Sequence, residues 1–174
     1  MKSKLDKYTD YTPYIEKAEK SVFRYEGLQD YSAEDGEESI KHFIETGELN
    51  IHSTDTEWWQ MIKEKNDAGV KTCRVRMVKR PLNDYTKWEL ALHKESAEFS
   101  GEDIRIIEEA PLGTIKKDLS DFYLIESTHL FILKYGPKGK YLGSVLIEDN
   151  KKVDEYVKYS QELIKNSVSI PLVP

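Results

Sequence analysis

The chain has 174 residues, a formal net charge of -6 at pH 7 and a pI near 5.4. This length suits one domain, and eleven Tyr, five Phe and three Trp supply bulky side chains for a core. We therefore expect a single globular domain over residues 1–174. The acidic balance argues against direct nucleic-acid binding, which depends on Lys and Arg to neutralise phosphates.

Cysteine content and hydropathy indicate which cellular compartment suits the protein. The single cysteine, Cys73, excludes an intramolecular disulfide, and we expect it to be a small buried side chain. No apolar run approaches the ~18 to 20 residues that a membrane span requires. The sequence therefore predicts a cytoplasmic protein that does not associate with membranes.

The N-terminal part of the chain predicts three helices and one extended segment. Proline and capping residues mark where helices begin, and glycines mark where they end. The predicted elements are a helix from Thr12 to about Lys20, an extended segment from Ser21 to Tyr31, a helix from about Ser32 to Gly47, and a helix from Thr54 to about Gly69.

The helix that begins at Thr54 carries two adjacent tryptophans. Trp58, Met61 and Ile62 follow the i, i+3, i+4 spacing of a single helix face, which predicts that they are core residues. Trp59 lies a step around the helix, so we expect it to be freer to border a groove or a partner surface.

From Val70 to Val78 the pattern changes to a period of two, which predicts a strand. Arg74 and Arg76 then share one face of that strand, while the opposite face is apolar. The aromatic and apolar residues from Tyr85 to Leu92 predict a partner strand, joined through a turn at Pro81.

The C-terminal half predicts further strands and a closing helix. Hairpin residues at Gly136 and Gly139 separate two of these strands. Together the elements predict an α+β domain, with a largely antiparallel or mixed sheet of five to six strands covered by N-terminal helices and a C-terminal helix. The predicted elements are a polar loop or helical turn at His93–Ser100, strands at about Glu102–Ile107, Asp121–Glu126, Leu130–Tyr135 and Tyr141–Ile147, an exposed loop at Glu108–Ser120, and a helix from about Asn150.

The sequence contains no motif that identifies a catalysed reaction. The four histidines lack the spacing of a zinc site, and no phosphate-binding glycine loop or GxSxG elbow occurs, so we expect no metal and no cofactor. Phosphodiesterases of the phospholipase D type use a His and a Lys two residues apart. His129 and Lys134 have the wrong interval to share a strand face, which leaves only a degenerate relative of that fold open by analogy.

Arginines and carboxylates are the remaining candidates for chemistry. Ion pairs across neighbouring strands explain these charges most simply, because bidentate pairing lets arginine occupy a partly buried sheet face. The same groups could instead form a ligand site or, less simply, an acid/base site. The candidate ligand- or partner-binding residues are Arg74, Arg76, Tyr85, Trp88, Glu89, Asp103, Arg105 and Asp121.

A series of short motifs resembles an uncharacterised bacterial domain family, often encoded beside helix-turn-helix regulators. The motifs are Arg74-Val-Arg-Met-Val, Pro81, Tyr85, Trp88-Glu89, Gly101-Glu-Asp-Ile-Arg105 and Asp121-Phe-Tyr-Leu, within a likeness from about Phe23 to Ile164. The resemblance implies an accessory of a transcriptional regulator or of a toxin-antitoxin-like pair. The chain departs from the family pattern at Ile125-Glu126-Ser127, where a more acidic turn is expected.

Two functional hypotheses follow. The leading one is a non-catalytic interaction domain, whose arginine and aromatic residues bind a protein partner such as a helix-turn-helix regulator, or a small anionic ligand. The alternative is a degenerate or active phosphodiesterase or other hydrolase with an arginine and carboxylate pocket. A pocket beside Arg74 and Arg76 would favour a ligand, and complete pairing without a cleft would exclude catalysis.

Overall fold

A computed structural model describes residues 7–108, 115 and 119–171. Its centre is one mixed sheet of seven strands in the order β6-β5-β4-β1-β2-β3-β7. The strands are β1 (Ser21–Glu26), β2 (Lys71–Val78), β3 (Asp103–Glu108), β4 (Phe122–Ile125), β5 (His129–Tyr135), β6 (Tyr141–Ile147) and β7 (Val168–Ser169).

Six α-helices accompany the sheet in the described part of the chain. Asn83 caps the long central helix through a hydrogen bond from the Thr86 amide, and Gly101 ends it in the left-handed conformation. None of the described helices is both long and apolar enough to cross a membrane. The helices are α1 (Thr12–Lys17), α2 (Ser32–Asp35), α3 (Glu37–Thr46), α4 (Ser53–Asp67), α5 (Asp84–Ser100) and α6 (Asn150–Lys165).

The sheet combines a parallel centre with antiparallel flanks. β1, β2 and β3 are parallel neighbours, and their connections pass through α2–α4 and through α5. β4, β5 and β6 continue the sheet from β1 in antiparallel order, and β7 pairs antiparallel with β3. Helices inside both crossovers follow from the geometry of parallel strands, which a tight turn cannot join.

The two faces of the sheet differ in chemistry because side chains alternate along each strand. Phe23 and Tyr25 of β1, with Val75 and Met77 of β2, join Val153 and Leu163 of α6 in an apolar core. The alternate residues Arg24, Arg74 and Arg76 lie on the opposite face, where Arg74 and Arg76 contact His93 and Glu89 of α5. One strand pair therefore serves an apolar core on one side and a charged layer on the other.

The predicted hairpin after Val78 is wrong. Tyr85–Leu92 forms the first half of α5, and the polar segment His93–Ser100 continues the same helix. β2 pairs in parallel with β1 and β3 instead of folding back on itself. The sheet has seven strands rather than five to six, and its mixed character agrees with the second of the two arrangements predicted.

Other predictions match more closely. Strands occur near every position predicted after Gly101, and the hairpin through Gly136 joins β5 to β6 in antiparallel order. Gly36 divides the predicted second helix into α2 and α3. Trp59 is buried and Trp58 is only half-buried, which reverses their expected roles. Most of the predicted loop at 108–120 lies outside the described residues.

Gly139 closes the turn between β5 and β6 against the segment that follows β1. It adopts a positive φ of 67°, and a Cβ atom there would lie 2.4 Å from the Asp30 carbonyl oxygen and 2.7 Å from the Tyr31 Cα. A side chain at this position would displace backbone, so close packing requires glycine. The turn therefore fixes the position of Tyr31.

The core beneath α6 should be the main source of apolar stability. Phe122 is fully buried among Phe23, Tyr25 and Tyr156, with ring centroids 4.8 to 5.8 Å apart. We expect Phe122→Ala to reduce the free energy of unfolding by about 3–5 kcal/mol through the cavity it leaves. Urea denaturation should show this loss, while Leu142→Ala, at a side chain 49% exposed, should change stability little. Similar losses for both variants would contradict this core assignment.

Candidate functional site

A pocket of about 380 Å³ opens between the charged face of the sheet and the helices above it. Arg24 and Glu26 of β1 and Arg74 of β2 form part of its base, and α5 contributes Glu89 and His93. Aromatic side chains make up much of the wall. They include Tyr11, Tyr31, Trp58, Tyr123, Tyr135 and Tyr141.

Register places the charges of the base next to one another. In the parallel pair of β1 and β2, Arg24 lies beside Arg74 and Glu26 lies beside Arg76. All four side chains lie on the same face of the sheet, because their positions differ by two along each strand. Like charges at Arg24 and Arg74 can be neighbours only if carboxylates lie between them.

Glu26 is the carboxylate shared by these arginines. Its Oε1 accepts a hydrogen bond of 2.6 Å from Arg74 Nη1 and lies 3.6 Å from Arg24 Nε. Burial disfavours the charged carboxylate, yet Arg74 and Arg24 outweigh it and lower the pKa of Glu26 to about 2. Glu26 therefore remains ionised in the folded protein.

Arg74 has a second acidic partner in Glu102, at 3.3 Å from its Nε atom. Although burial opposes the positive charge, Glu102 and Glu26 raise the pKa of Arg74. Burial also raises the pKa of Glu102 in spite of Arg74. Of the arginines on this face, Arg74 has the most accessible side chain, at 13%, compared with 7% for Arg24 and 0% for Arg76.

Arg76 and Glu89 form a buried ion pair between β2 and α5. Arg76 Nε donates to Glu89 Oε2 at 2.5 Å, and the Tyr85 hydroxyl donates to Glu89 Oε1 at 3.1 Å. Burial raises the pKa of Glu89 to about 7 even beside Arg76, with Glu26 adding to the effect. Burial therefore favours the neutral form of Glu89, and Arg76 favours the ionised form.

The Tyr85 hydroxyl also approaches Asp35 of α2, with 2.6 Å between the oxygens. Burial raises the pKa of Asp35 to about 6, against the lowering effect of the Tyr85 hydrogen bond. One hydroxyl proton lies between two carboxylates, Asp35 and Glu89, and a hydroxyl donates only one hydrogen bond at a time. A proton on either carboxyl group would complete the second bond.

His93 lies one helical turn after Glu89 and is a neutral base. Its Nδ1 lies 3.0 Å from the Glu89 carbonyl oxygen, and its Nε2 lies 3.4 Å from both Glu26 Oε2 and Arg74 Nη1. Burial lowers the pKa of His93 to about 3, with Glu26 opposing and Arg74 adding to the shift. At neutral pH the imidazole is therefore uncharged.

Asp121, the residue before β4, lies buried below the base. Its Oδ2 lies 3.1 Å from Arg24 Nη2 and accepts a 2.5 Å hydrogen bond from the Tyr31 hydroxyl. The Tyr135 hydroxyl accepts a hydrogen bond from the same Arg24 nitrogen at 2.9 Å. Asp121 therefore joins Arg24 to the aromatic wall.

Several polar atoms at or below the base lack a hydrogen-bond partner among the described residues. Buried polar groups without partners cost free energy, and such atoms often mark the place of a ligand or a water molecule. Arg24 Nη1, Glu26 Oε2 and Trp88 Nε1 belong to residues that line the pocket, and Arg76 Nη2 and Glu102 Oε2 lie nearby in the same network.

Three side chains of the base could in principle hold a metal ion. Glu26, Glu89 and His93 each offer one ligand atom, all within 4.8 Å of one another. However, Arg74 and Arg76 already bond to the two carboxylates, and Arg74 Nη1 lies 3.4 Å from the His93 Nε2 that would bind the metal. The guanidinium groups occupy the positions that a cation would take, so this donor set fits an ion-pair network better than a metal.

The structure separates the predicted site residues into two groups. Tyr85, Trp88 and Glu89 line the pocket with Arg74, while Arg76 and Asp121 lie buried below it. Asp103 and Arg105 lie on the opposite face of the sheet, where Arg105 Nη1 lies 3.3 Å from Asp103 Oδ2 and Arg105 Nε donates to Ser167. These last two residues are not part of the pocket.

Sequence reasoning missed Arg24, Glu26 and His93. The apolar residues of the β1 segment dominate its pattern, although Arg24 and Glu26 follow the same two-residue spacing as Arg74 and Arg76. Glu89 and His93 are four residues apart, which places them on one face of a helix. The four-residue spacing of Glu89 and His93 is informative only if the segment is a helix.

A family model described as a domain of unknown function, DUF6879, matches residues 9–171. The chain belongs to this family. No curated protein matches this chain in sequence. Among solved structures it is similar to the crystal structure of Nuc from Salmonella typhimurium, a phospholipase D family member, with a TM-score of 0.53 and 11% identity over 90% of this chain and 86% of that chain. At this identity the likeness establishes a related fold and no activity.

The opposite pKa shifts of two buried glutamates predict unequal losses of stability on the same substitution. The pKa of Glu26 is lowered to about 2, so its charge stabilises the fold; the pKa of Glu89 is raised to about 7, because the cost of burying its charge exceeds what the ion pair with Arg76 returns. At pH 7 we expect Glu26→Gln to cost about 3 kcal/mol, from ~1.4 kcal/mol for each unit of pKa. Glu89→Gln should cost markedly less. Urea denaturation of both variants measures this difference, and equal losses would contradict it.

Proposed function

We propose that this DUF6879 domain binds a small polar molecule through an anionic group, and that it acts by binding rather than by catalysis. The observation that carries the proposal is Arg74, whose side chain is 13% accessible and lines the base of an aromatic pocket of about 380 Å³. Pockets of this size suit small ligands, and arginine is the side chain best shaped for carboxylate and phosphate groups.

Burial favours a small ligand over a protein partner at this site. Arg76, Trp88 and Glu89 are between 0% and 5% exposed, so a flat protein surface could not reach them. A small molecule that enters the pocket would contact Arg74 without rearrangement of the sheet. In this proposal a partner such as a helix-turn-helix regulator would respond to the liganded domain, as an accessory role in a bacterial regulatory or toxin-antitoxin-like system requires.

The carboxyl groups beside the arginines at the base make anion binding dependent on pH. Three guanidinium groups lie among four carboxyl groups, and burial raises the pKa of two of those, Glu89 and Glu102. Protonation of Glu89 removes a negative charge near Arg74, which favours an incoming anion. The anion in turn raises the pKa of Glu89, because like charges oppose ionisation.

The first test uses ethyl phosphate as the anionic probe. We expect it to raise the thermal midpoint of the wild-type protein, since a ligand that binds only the folded state stabilises it. After correction for the second ionisation of ethyl phosphate itself, which has a pKa of about 6, affinity should increase as the pH falls from 8 to 6, through the Glu89 pKa of about 7, by at most about tenfold for each pH unit. Glu89→Gln should lose most of this pH dependence.

Two arginine variants provide the matched controls. Arg74→Gln should abolish the response to ethyl phosphate, while Arg80→Gln removes an exposed arginine outside the pocket and should leave it unchanged. If Arg74→Gln is too unstable, Arg74→Lys keeps the charge and should bind more weakly than wild type. No response of the wild-type protein between pH 6 and 8 to ethyl phosphate, to propionate or to their amine-bearing counterparts O-phosphoethanolamine and β-alanine would overturn the proposal.

A second candidate function, hydrolysis of phosphodiesters, is favoured by His93. Its neutral imidazole lies 3.4 Å from Arg74 Nη1, and Glu89, with a pKa of about 7, lies one turn away. A neutral base beside a cationic anchor is the arrangement that attack on phosphorus uses. Nuc is described as a phospholipase D family member. Against this role, no histidine of the chain has a lysine two residues away.

Hydrolysis of bis(p-nitrophenyl) phosphate distinguishes the two functions. Under the binding proposal the wild-type protein should release no more nitrophenol than His93→Gln at the same concentration. Release by wild type that His93→Gln abolishes, in a variant that still binds ethyl phosphate, would instead establish the hydrolase.

A further inference from the structure

The mouth of the pocket is negatively charged, in contrast to the arginines at its base. The acidic residues there are Glu34 and Asp35 of α2 and Asp55 of α4, all exposed or half-buried. Among the described residues that line the pocket, the only side chains with a permanent positive charge are Arg24 and Arg74, which lie at the base. A purely anionic ligand would therefore be repelled where it enters.

The charges around Asp35 support this description. After burial and the Tyr85 hydrogen bond, the groups that act most on the pKa of Asp35 are the carboxylates of Glu26, Asp55 and Glu34, and all three raise it. Asp35 thus lies in a negative potential that extends from the base to the mouth. A positive charge placed between these acids would relieve their mutual repulsion.

Aromatic rings accompany the acids at the mouth. Trp58 of α4 and Tyr141 of β6 are half-buried and line the same opening, and the Tyr141 amide donates to Glu34 at 2.8 Å. Tyr135 and Tyr141 have ring centroids 5.9 Å apart, and Tyr11 lies 6.3 Å from Tyr141. Aromatic faces beside carboxylates are the surroundings that bind ammonium groups.

The base adds an independent indication of a ligand. Arg24 and Glu26 are 5% and 6% exposed, and each has a polar atom without a hydrogen-bond partner among the described residues. The site therefore has buried polar atoms with unsatisfied hydrogen bonds behind one end, and acids with aromatic rings at the other. The two ends select opposite charges on one molecule.

We infer that the ligand is a small zwitterion, whose phosphate or carboxylate binds at Arg74 and whose ammonium group lies at the mouth among Glu34, Asp55 and Trp58. This inference rests on the proposed function, because it assigns the second end of the same ligand. The acids at the mouth then select against anions that carry no amine.

Matched probes isolate the contribution of the amine. O-Phosphoethanolamine and ethyl phosphate share the phosphate and a two-carbon chain, and β-alanine and propionate form the corresponding carboxylate pair. At pH 7.5 we expect the amine-bearing member of at least one pair to bind about fivefold or more tightly in isothermal titration. This ratio corresponds to the combined effect of an ion pair and a cation–π contact.

Charge-neutral variants test where the amine binds. Glu34→Gln and Asp55→Asn keep the shape of each side chain, and each should reduce the preference for the amine by about two- to fivefold without weakening ethyl phosphate. Glu38→Gln removes an exposed acid of α3 that does not line the pocket, and should leave the preference unchanged.

The outcomes separate this inference from the proposed function. Binding of ethyl phosphate through Arg74 with no gain from the amine would overturn the zwitterion and leave the anion site intact. Failure of every probe to bind would overturn both. If phosphatidylethanolamine vesicles compete with O-phosphoethanolamine, the zwitterion is a lipid headgroup, whereas tight binding without competition assigns it to a free molecule.

Discussion

The structure depends on the neutralisation of buried guanidinium groups on one face of the sheet. Arg24 and Arg74 are register neighbours on β1 and β2, and Glu26 is the carboxylate that contacts both. Burial would make these charges very costly if they were unpaired. Helix α5 supplies Glu89, and the residues directly before β3 and β4 supply Glu102 and Asp121. The position of α5 is therefore set by charge as well as by apolar packing.

A charged layer of this kind provides specificity at the expense of stability. Apolar side chains of similar volume would often stabilise a sheet face at least as well as ion pairs. The opposite face shows that this chain can form such a core, around Phe122 and Leu163. The polar atoms without partners at the base, including Glu26 Oε2, are easier to explain in a protein that binds a ligand there.

The sequence predicted several residues of the charged network, but it did not predict the helix and the strand pairing that bring them together. The alternation around Arg74 and Arg76 predicted a strand with a charged face, and that strand is β2. The segment from Tyr85 was assigned to a strand because its residues are aromatic and apolar, yet its buried helical stripe contains Glu89 and His93. A buried stripe is normally recognised by apolar residues, so a polar one escapes that test. Arg24 escaped because pairing between β1 and β2 joins residues fifty positions apart.

The close contact at Gly139 has a consequence for how the chain can vary. Hairpin tips usually accept insertions and exchange of residues. Here the tip presses on Asp30 and Tyr31, and the Tyr31 hydroxyl bonds to Asp121, the partner of Arg24. A longer or bulkier tip would displace Tyr31. That displacement would in turn move Asp121, the counter-ion of the buried Arg24. The sequence of the β5–β6 turn is therefore constrained by the ion pair between Arg24 and Asp121, although hairpin tips usually vary freely.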